Sequence, residues 1–249
     1  MADHARDGTD SRPVCLVTGA GSGIGEHVCK ILAESGYRLA LVGRTPGKLE
    51  RAGSAIGENG RDWVALPADV ADPSQAEQIV ARTLEVFGRI DAVVNNAGSS
   101  PLKHASELGT DEIHALFSLN AVAPAVTAAA DVRAFAERPG EDHGGVIVTI
   151  SSAASFDPFP GLGVYGAAKA STNTLAKALA NEHGDQGVRA YAVAPGAVET
   201  PLLRSLFDET ALPNSKTLDP ADVARVAVDC VLGKRPEPNG ETISMPSPA

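Results

Sequence analysis

Short apolar runs alternate with longer mixed stretches along the whole chain. The run Val14–Thr18 has the character of a strand buried on both faces. Arg38–Val42, Trp63–Leu66, Ile90–Val94, Val146–Ile150 and Val188–Val193 read the same way, and Thr242–Met245 is a weaker seventh. Between them, helical patterns cover Gly23–Ser35, Pro46–Gly57, Pro73–Phe87, Thr110–Glu137, Val164–His183 and Pro220–Leu232. Pro46, Pro73 and Pro220 fall where a first helical turn tolerates a missing N–H. Strand–helix–strand repetition predicts parallel strands joined by right-handed crossovers. The expected fold class is therefore α/β: one doubly wound parallel sheet of about seven strands, helices on both faces, spanning 13–249 behind a polar tail at 1–12. Ligands of such sheets bind beyond the carboxyl ends of the strands, where the strand order reverses.

Composition narrows the partners. Of the 249 residues 43% are hydrophobic but only 4% aromatic, so small aliphatic side chains must fill the core. Thirty-one acidic residues against 21 Lys and Arg give a net charge of −10, which argues against nucleic acid. A bound phosphate must then find local donors. Cys15, Cys29 and Cys230 match no metal spacing and suit a reducing compartment. His4, His27, His104, His114, His143 and His183 share no ligand spacing either, so no metal is expected. No uninterrupted apolar run approaches ~18 residues, and the first dozen residues lack a signal-peptide core. A cytoplasmic protein without membrane contact is expected, with Glu137–Asp142 as a solvated loop.

The segment Thr18-Gly19-Ala20-Gly21-Ser22-Gly23-Ile24-Gly25 follows the first strand and opens a helix. Glycine takes the positive φ of a tight turn and lets the backbone approach a pyrophosphate, while the helix N-terminus offers free N–H groups. Strand–turn–helix is the context that a dinucleotide-binding turn requires. An acidic residue after the second strand would hold the 2′-hydroxyl of NAD; Gly43-Arg44 stands there instead. The Arg44 guanidinium suits a 2′-phosphate, so NADP(H) is expected over NAD(H). Asp69-Val70 closes the third strand, and Asn95-Asn96-Ala97-Gly98 the fourth. Asp69 is placed to accept from an adenine amino group and Asn95 to shape the adenosine loop, although turn chemistry alone also accounts for both.

Ser151-Ser152 ends the fifth strand, and Tyr165 and Lys169 follow at i and i+4 of a helical stretch. That spacing puts phenol and ammonium on one helix face. A nearby cation lowers a phenol's pKa from ~10 toward neutrality, which suits proton transfer. The pair alone equally fits a surface cation beside an aromatic.

In combination, Val148–Ser152, Tyr165-Gly-Ala-Ala-Lys169, Ala194-Pro195-Gly196-Ala-Val-Glu-Thr200, the glycine turn and Asn95-Asn-Ala-Gly98 resemble the short-chain dehydrogenase/reductase family, from about residue 13 to 200. The resemblance implies a Rossmann-type fold and an oxidoreductase interconverting a carbonyl and a secondary alcohol. Tyr165 would be the general acid–base. Lys169 would tune it and bind the nicotinamide ribose. Ser152 would hold the substrate oxygen, and Asn120 a relay water. The cofactor would meet Gly19, Gly21, Ser22, Gly23, Ile24, Gly25, Arg44, Asp69, Val70, Asn96, Ala97, Gly98, Tyr165, Lys169, Pro195, Gly196, Val198 and Thr200. The helices at 110–137 and 164–183 resemble the family's subunit contacts, so a homodimer or homotetramer is expected.

The resemblance thins at the C-terminus, where Asn239-Gly240 and then Pro246-Ser247-Pro248 stand without the family's Gly-Gly pair. Residues 199–218 read as a mobile substrate loop carrying Leu202, Leu203, Leu206 and Phe207, and Phe156, Phe159 and Leu162 lie between Ser152 and Tyr165. These side chains suggest a mostly apolar small-molecule substrate, though several of them would serve equally as core or subunit packing. A thioester reductase, dehydratase or epimerase on the same scaffold, or a non-catalytic NADP sensor, stays open.

Overall fold

The computed structural model describes residues 10–138 and 144–248. Its strands are β1 (Val14–Thr18), β2 (Arg38–Gly43), β3 (Trp63–Pro67), β4 (Ala92–Asn95), β5 (Gly145–Ile150), β6 (Val188–Pro195) and β7 (Thr242–Met245). They form one sheet, every pair parallel, in the order β3-β2-β1-β4-β5-β6-β7. The order reverses between β1 and β4, so their carboxyl ends flank the crevice expected to take a ligand. The chain thus adopts a Rossmann-type α/β fold. Relative to the sequence pattern, β4 begins two residues later, because Asp91 at its foot accepts from Val14 N–H at 2.8 Å and pairs with Arg89 and Arg138.

The helices are α1 (Gly23–Glu34), α2 (Pro46–Ser54), α3 (Pro73–Phe87), α4 (Thr110–Phe117), α5 (Ala123–Ala136), α6 (Gly163–His183), α7 (Pro201–Leu206) and α8 (Pro220–Val231). Val28, Leu32, Leu49, Val223 and Val228 of α1, α2 and α8 pack on one face of the sheet. Ile79, Phe87, Ala128, Phe135 and Leu179 of α3, α5 and α6 pack on the other. The strand residues are almost all buried, as parallel strands covered on both sides must be.

Two local departures from the sequence pattern have physical causes. The helix expected over 110–137 is interrupted by a π-helical segment, Ser118–Val122. Pro124 has no N–H to return to the Asn120 carbonyl, and the ladder slips so that Ala123 N–H reaches Ser118 C=O. By length and composition the helical stretch Thr110–Ala136 is apolar enough to cross a membrane. Buried Asn120, Thr127 and Asp131 lie on it, and it packs against α3 and α6. The expected tail at 1–12 ends sooner: Arg12 bridges Asp10 and Asp62, the latter at 2.8 Å, which ties this end to the turn before β3. Residues 139–142 of the expected acidic loop lie outside the described residues, as do 1–9.

Candidate active site

The residues expected at the crevice follow the carboxyl ends of six strands, β1 to β6, except Tyr165 and Lys169, which α6 supplies, and Asn120, which lies in the π-helical segment. After β1 the glycine turn holds Gly19 at φ +66° and Gly23 at φ +56°, conformations that favour glycine. Asn96, just after β4, closes this turn by donating its Nδ2 to the carbonyls of Thr18 and Gly19 at 3.0 and 3.2 Å. Gly25 lies behind the turn, not on the cleft wall; a Cβ there would overlap the Gly19 carbonyl, so its part is to let α1 approach β1. The Ser22 side chain at the N-cap of α1 accepts no N–H, which leaves the first-turn donors open toward the crevice.

Two recesses share this turn. The smaller, about 200 Å³, is lined by Gly21, Arg44, Thr45, Lys48, Asp69 and Val70 among others. Arg44 enters it from the end of β2 and Lys48 from the first turn of α2. Lys48 escaped the sequence reading; the available signal was its position four residues after Arg44, on the helix that Pro46 starts. The larger recess, about 550 Å³, runs from Gly19, Ser22, Gly23 and Ile24 past Asn96, Ala97 and Gly98 to Ser152, Tyr165 and Lys169. Pro195, Gly196, Val198 and Thr200 form its far wall.

Of the two serines at the end of β5, Ser151 is buried and turns to α6, donating to Asn173 Oδ1 at 2.6 Å. Ser152 caps the turn Ala153–Ser155 by accepting from Ala154 N–H at 3.2 Å, and its hydroxyl lies beside the Tyr165 phenol, whose pKa it pulls down. Gly166 permits this meeting, because a Cβ there would overlap the Ala154 carbonyl and hold α6 away.

Lys169 lies one turn beyond Tyr165, as the i, i+4 spacing requires, but its electrostatic effect differs from the expectation. Its ammonium donates to Ile150 C=O at 2.7 Å and lies 5.9 Å from the centroid of the Tyr165 ring. Burial pushes the Tyr165 phenol up to about 12, with the Ser152 hydrogen bond pulling down less strongly. The same burial pulls Lys169 down to about 8. In the protein alone, then, burial dominates the Tyr165 phenol, and Lys169 is not among the groups that lower it.

Asn120 occupies the π segment. Its Nδ2 donates to Ser99 and Leu116 carbonyls, both at 2.9 Å, whereas its buried Oδ1 has no partner. A Cβ on Gly98 would lie 2.9 Å from that oxygen and 3.3 Å from Lys169 Nζ, so the two groups border one small space beneath Gly98. Asn95 is instead structural, accepting from Thr127 Oγ1 at 2.8 Å.

Ser247, from the segment after β7, also lines the large recess. Its Oγ accepts from Ala197 N–H at 2.8 Å, and Met245 C=O takes Gly196 N–H at 2.8 Å. No local pattern could have flagged it, since its partner is 50 residues away. The expected substrate loop is ordered by its own contacts. It contains α7, and Arg204 clasps it by pairing with Glu199, donating to Asn214 Oδ1 at 2.5 Å and to the carbonyls of Phe207 and Leu212.

The short chain dehydrogenase family profile matches residues 13–211. The chain is 31% identical over 237 residues to the 2,3-dihydro-2,3-dihydroxybenzoate dehydrogenase of Bacillus subtilis, covering 89% of each protein. It superposes with TM-score 0.85 on a 3-ketoacyl-(acyl-carrier-protein) reductase from Brucella melitensis complexed with NADH, at 28% identity, covering 93% of this chain and 96% of that one. A short chain dehydrogenase from Burkholderia cenocepacia J2315 in complex with NADP gives TM-score 0.83 at 28% identity, covering 94% and 96%.

Proposed function

The chain belongs to the short-chain dehydrogenase/reductase family, enzymes acting on CH–OH donors, and from that premise we propose that it is an NADP(H)-dependent oxidoreductase interconverting a small apolar ketone and its secondary alcohol. The observation that carries this reading is the convergence of Ser152, Tyr165 and Lys169 with the glycine turn on one cleft.

The residues fit a dinucleotide. Open first-turn donors of α1 suit its pyrophosphate, and Asp69 and Val70 line the recess expected to take the adenine. Arg44, Thr45 and Lys48 provide two cations and a hydroxyl for a 2′-phosphate, and no carboxylate ends β2 to hold a 2′-hydroxyl. Val198 and Thr200 would flank the nicotinamide, and Lys169 its ribose. When bound, the cofactor supplies the hydride.

The protein's own part is to bind, orient and move a proton. In the reductive direction the Tyr165 O–H protonates the substrate oxygen; in the oxidative direction its phenolate takes the alcohol proton. Ser152 Oγ holds the same oxygen as negative charge develops on it. Lys169 and the unpartnered Asn120 Oδ1 border the space through which a water would resupply the proton. A cytoplasmic homodimer or homotetramer, with α4, α5 and α6 as contacts, completes the proposal. Initial rates of NADPH and NADH oxidation against a ketone panel test it. Saturable turnover with NADPH is expected, and its absence with every carbonyl offered would overturn it.

A further inference from the structure

We propose that the substrate carries an uncharged ring, held between Phe159 and Phe207, and that these two phenyls set the enzyme's preference; this rests on the oxidoreductase reading above. Phe159 comes from the loop between Ser152 and Tyr165, and Phe207 follows α7 on the opposite lip of the cleft. Their rings meet edge to face, centroids 6.1 Å apart and planes at 82°. Phe159 is 59% exposed, an expensive position for a phenyl at the mouth of an apolar cleft unless a ligand covers it. Two rings at right angles present a face and an edge to whatever parts them, the arrangement that a further flat ring satisfies best. A rigid ring also enters without the loss of chain entropy that a flexible alkyl tail suffers.

The charges favour a neutral substrate. Arg204, a cation of the 199–218 loop, is fully engaged by Glu199, Asn214 and the carbonyls of Phe207 and Leu212. Lys103, whose backbone hydrogen-bonds Gly161 on the near lip, pairs with Glu112 at 2.5 Å. Asp157 lines the cleft, and the protein carries a net charge of −10. A carboxylate, a phosphate or an acidic carrier protein would meet repulsion that these two paired cations do little to offset.

The test compares acetophenone, 2-octanone with the same number of carbons, and phenylglyoxylate as the anionic aryl ketone, using NADPH. Binding of 1-phenylethanol without cofactor is followed by saturation-transfer NMR. Acetophenone should exceed the other two in kcat/KM by about tenfold or more, the discrimination expected of an apolar pocket. Phe159→Ala and Phe207→Ala should each collapse that ratio and weaken the ring-proton transfer at unchanged Tm. Equal or better use of 2-octanone or phenylglyoxylate, or a ratio unmoved in both variants, overturns the inference and leaves the oxidoreductase reading intact. Bound 1-phenylethanol with no ketone reduced strikes that reading instead and leaves the ring site standing.

Discussion

The Lys169 ammonium sits 5.9 Å from the centroid of the Tyr165 ring, one helical turn further along α6. Lys169 is buried and Tyr165 half-buried on the cleft wall, and desolvation drives each toward its neutral form. A neutral phenol beside Ser152 is a proton donor in waiting. Tyr165→Phe should lower kcat by about 10²-fold or more while the NADPH dissociation constant, read by fluorescence titration, stays near that of the wild type. Turnover within about tenfold of the wild type would remove Tyr165 from the chemistry.

Stability should depend on alkaline pH in a defined sense. Lys169 titrates near 8 in the native protein and near ~10.4 when unfolded. Between those values the unfolded chain binds the extra proton, so stability rises with pH across the window. Tyr165 acts oppositely: its native value of about 12 exceeds the unfolded ~10, so stability falls between them. Urea unfolding from pH 7 to 11 checks this, and Lys169→Met should abolish the rise and gain several degrees of Tm at pH 7. A flat wild-type profile would refute it.

Asp131 is wholly buried on α5, and neither carboxylate oxygen has a partner. Desolvation holds its carboxyl well above the usual range, with Arg133 opposing only weakly. The native state keeps a proton that the unfolded state gives up above ~4, so stability falls as pH rises through that region. Asp131→Asn should stabilise at pH 7 by about 1–3 kcal/mol, roughly 2–4 °C per kcal/mol, and flatten the profile from pH 4 to 7. A destabilised variant would mean that the carboxylate has a use in the folded protein.

Arg44 and Lys48 approach one recess from different elements. Arg44→Ala and Lys48→Ala should each raise KM for NADPH by about ten- to a hundredfold, the worth of a charge-assisted contact, and leave KM for NADH unchanged. Equal losses for both cofactors would move these cations off the 2′-position.

The Ser247 hydroxyl holds the Ala197 N–H, and with it the Pro195–Val198 wall of the cleft. Ser247→Ala should raise KM for cofactor by about fivefold with kcat little changed, the worth of one neutral hydrogen bond, and Ser247→Thr should restore it. A fall in kcat alone would point to another role.

The sequence made the sheet and most of the site legible because the signals are local. Continuous apolar runs mark strands buried on both faces, and glycines with helical spacing mark the turn and the Tyr165–Lys169 face. What escaped depends on distant partners. Lys48 acquires meaning only when α2 is laid against the glycine turn, and Ser247 only when β7 closes beside β6. The π segment had a local sign, Pro124 four residues after Asn120, yet the outcome depends on Asn120 finding the Ser99 carbonyl. The titration of Tyr165 was misjudged from spacing alone, since desolvation is a property of the assembled cleft.

Gly19 and Ser247, near opposite ends of the sequence, stand in the walls of the same cleft. The nucleotide pocket therefore comes into being only after the last strand has docked; a nascent, nicked or half-folded molecule has half a wall. Dinucleotide binding then requires the β6–β7 pairing as much as the β1–β2 pairing, and excess cofactor should raise the melting temperature with the logarithm of its concentration.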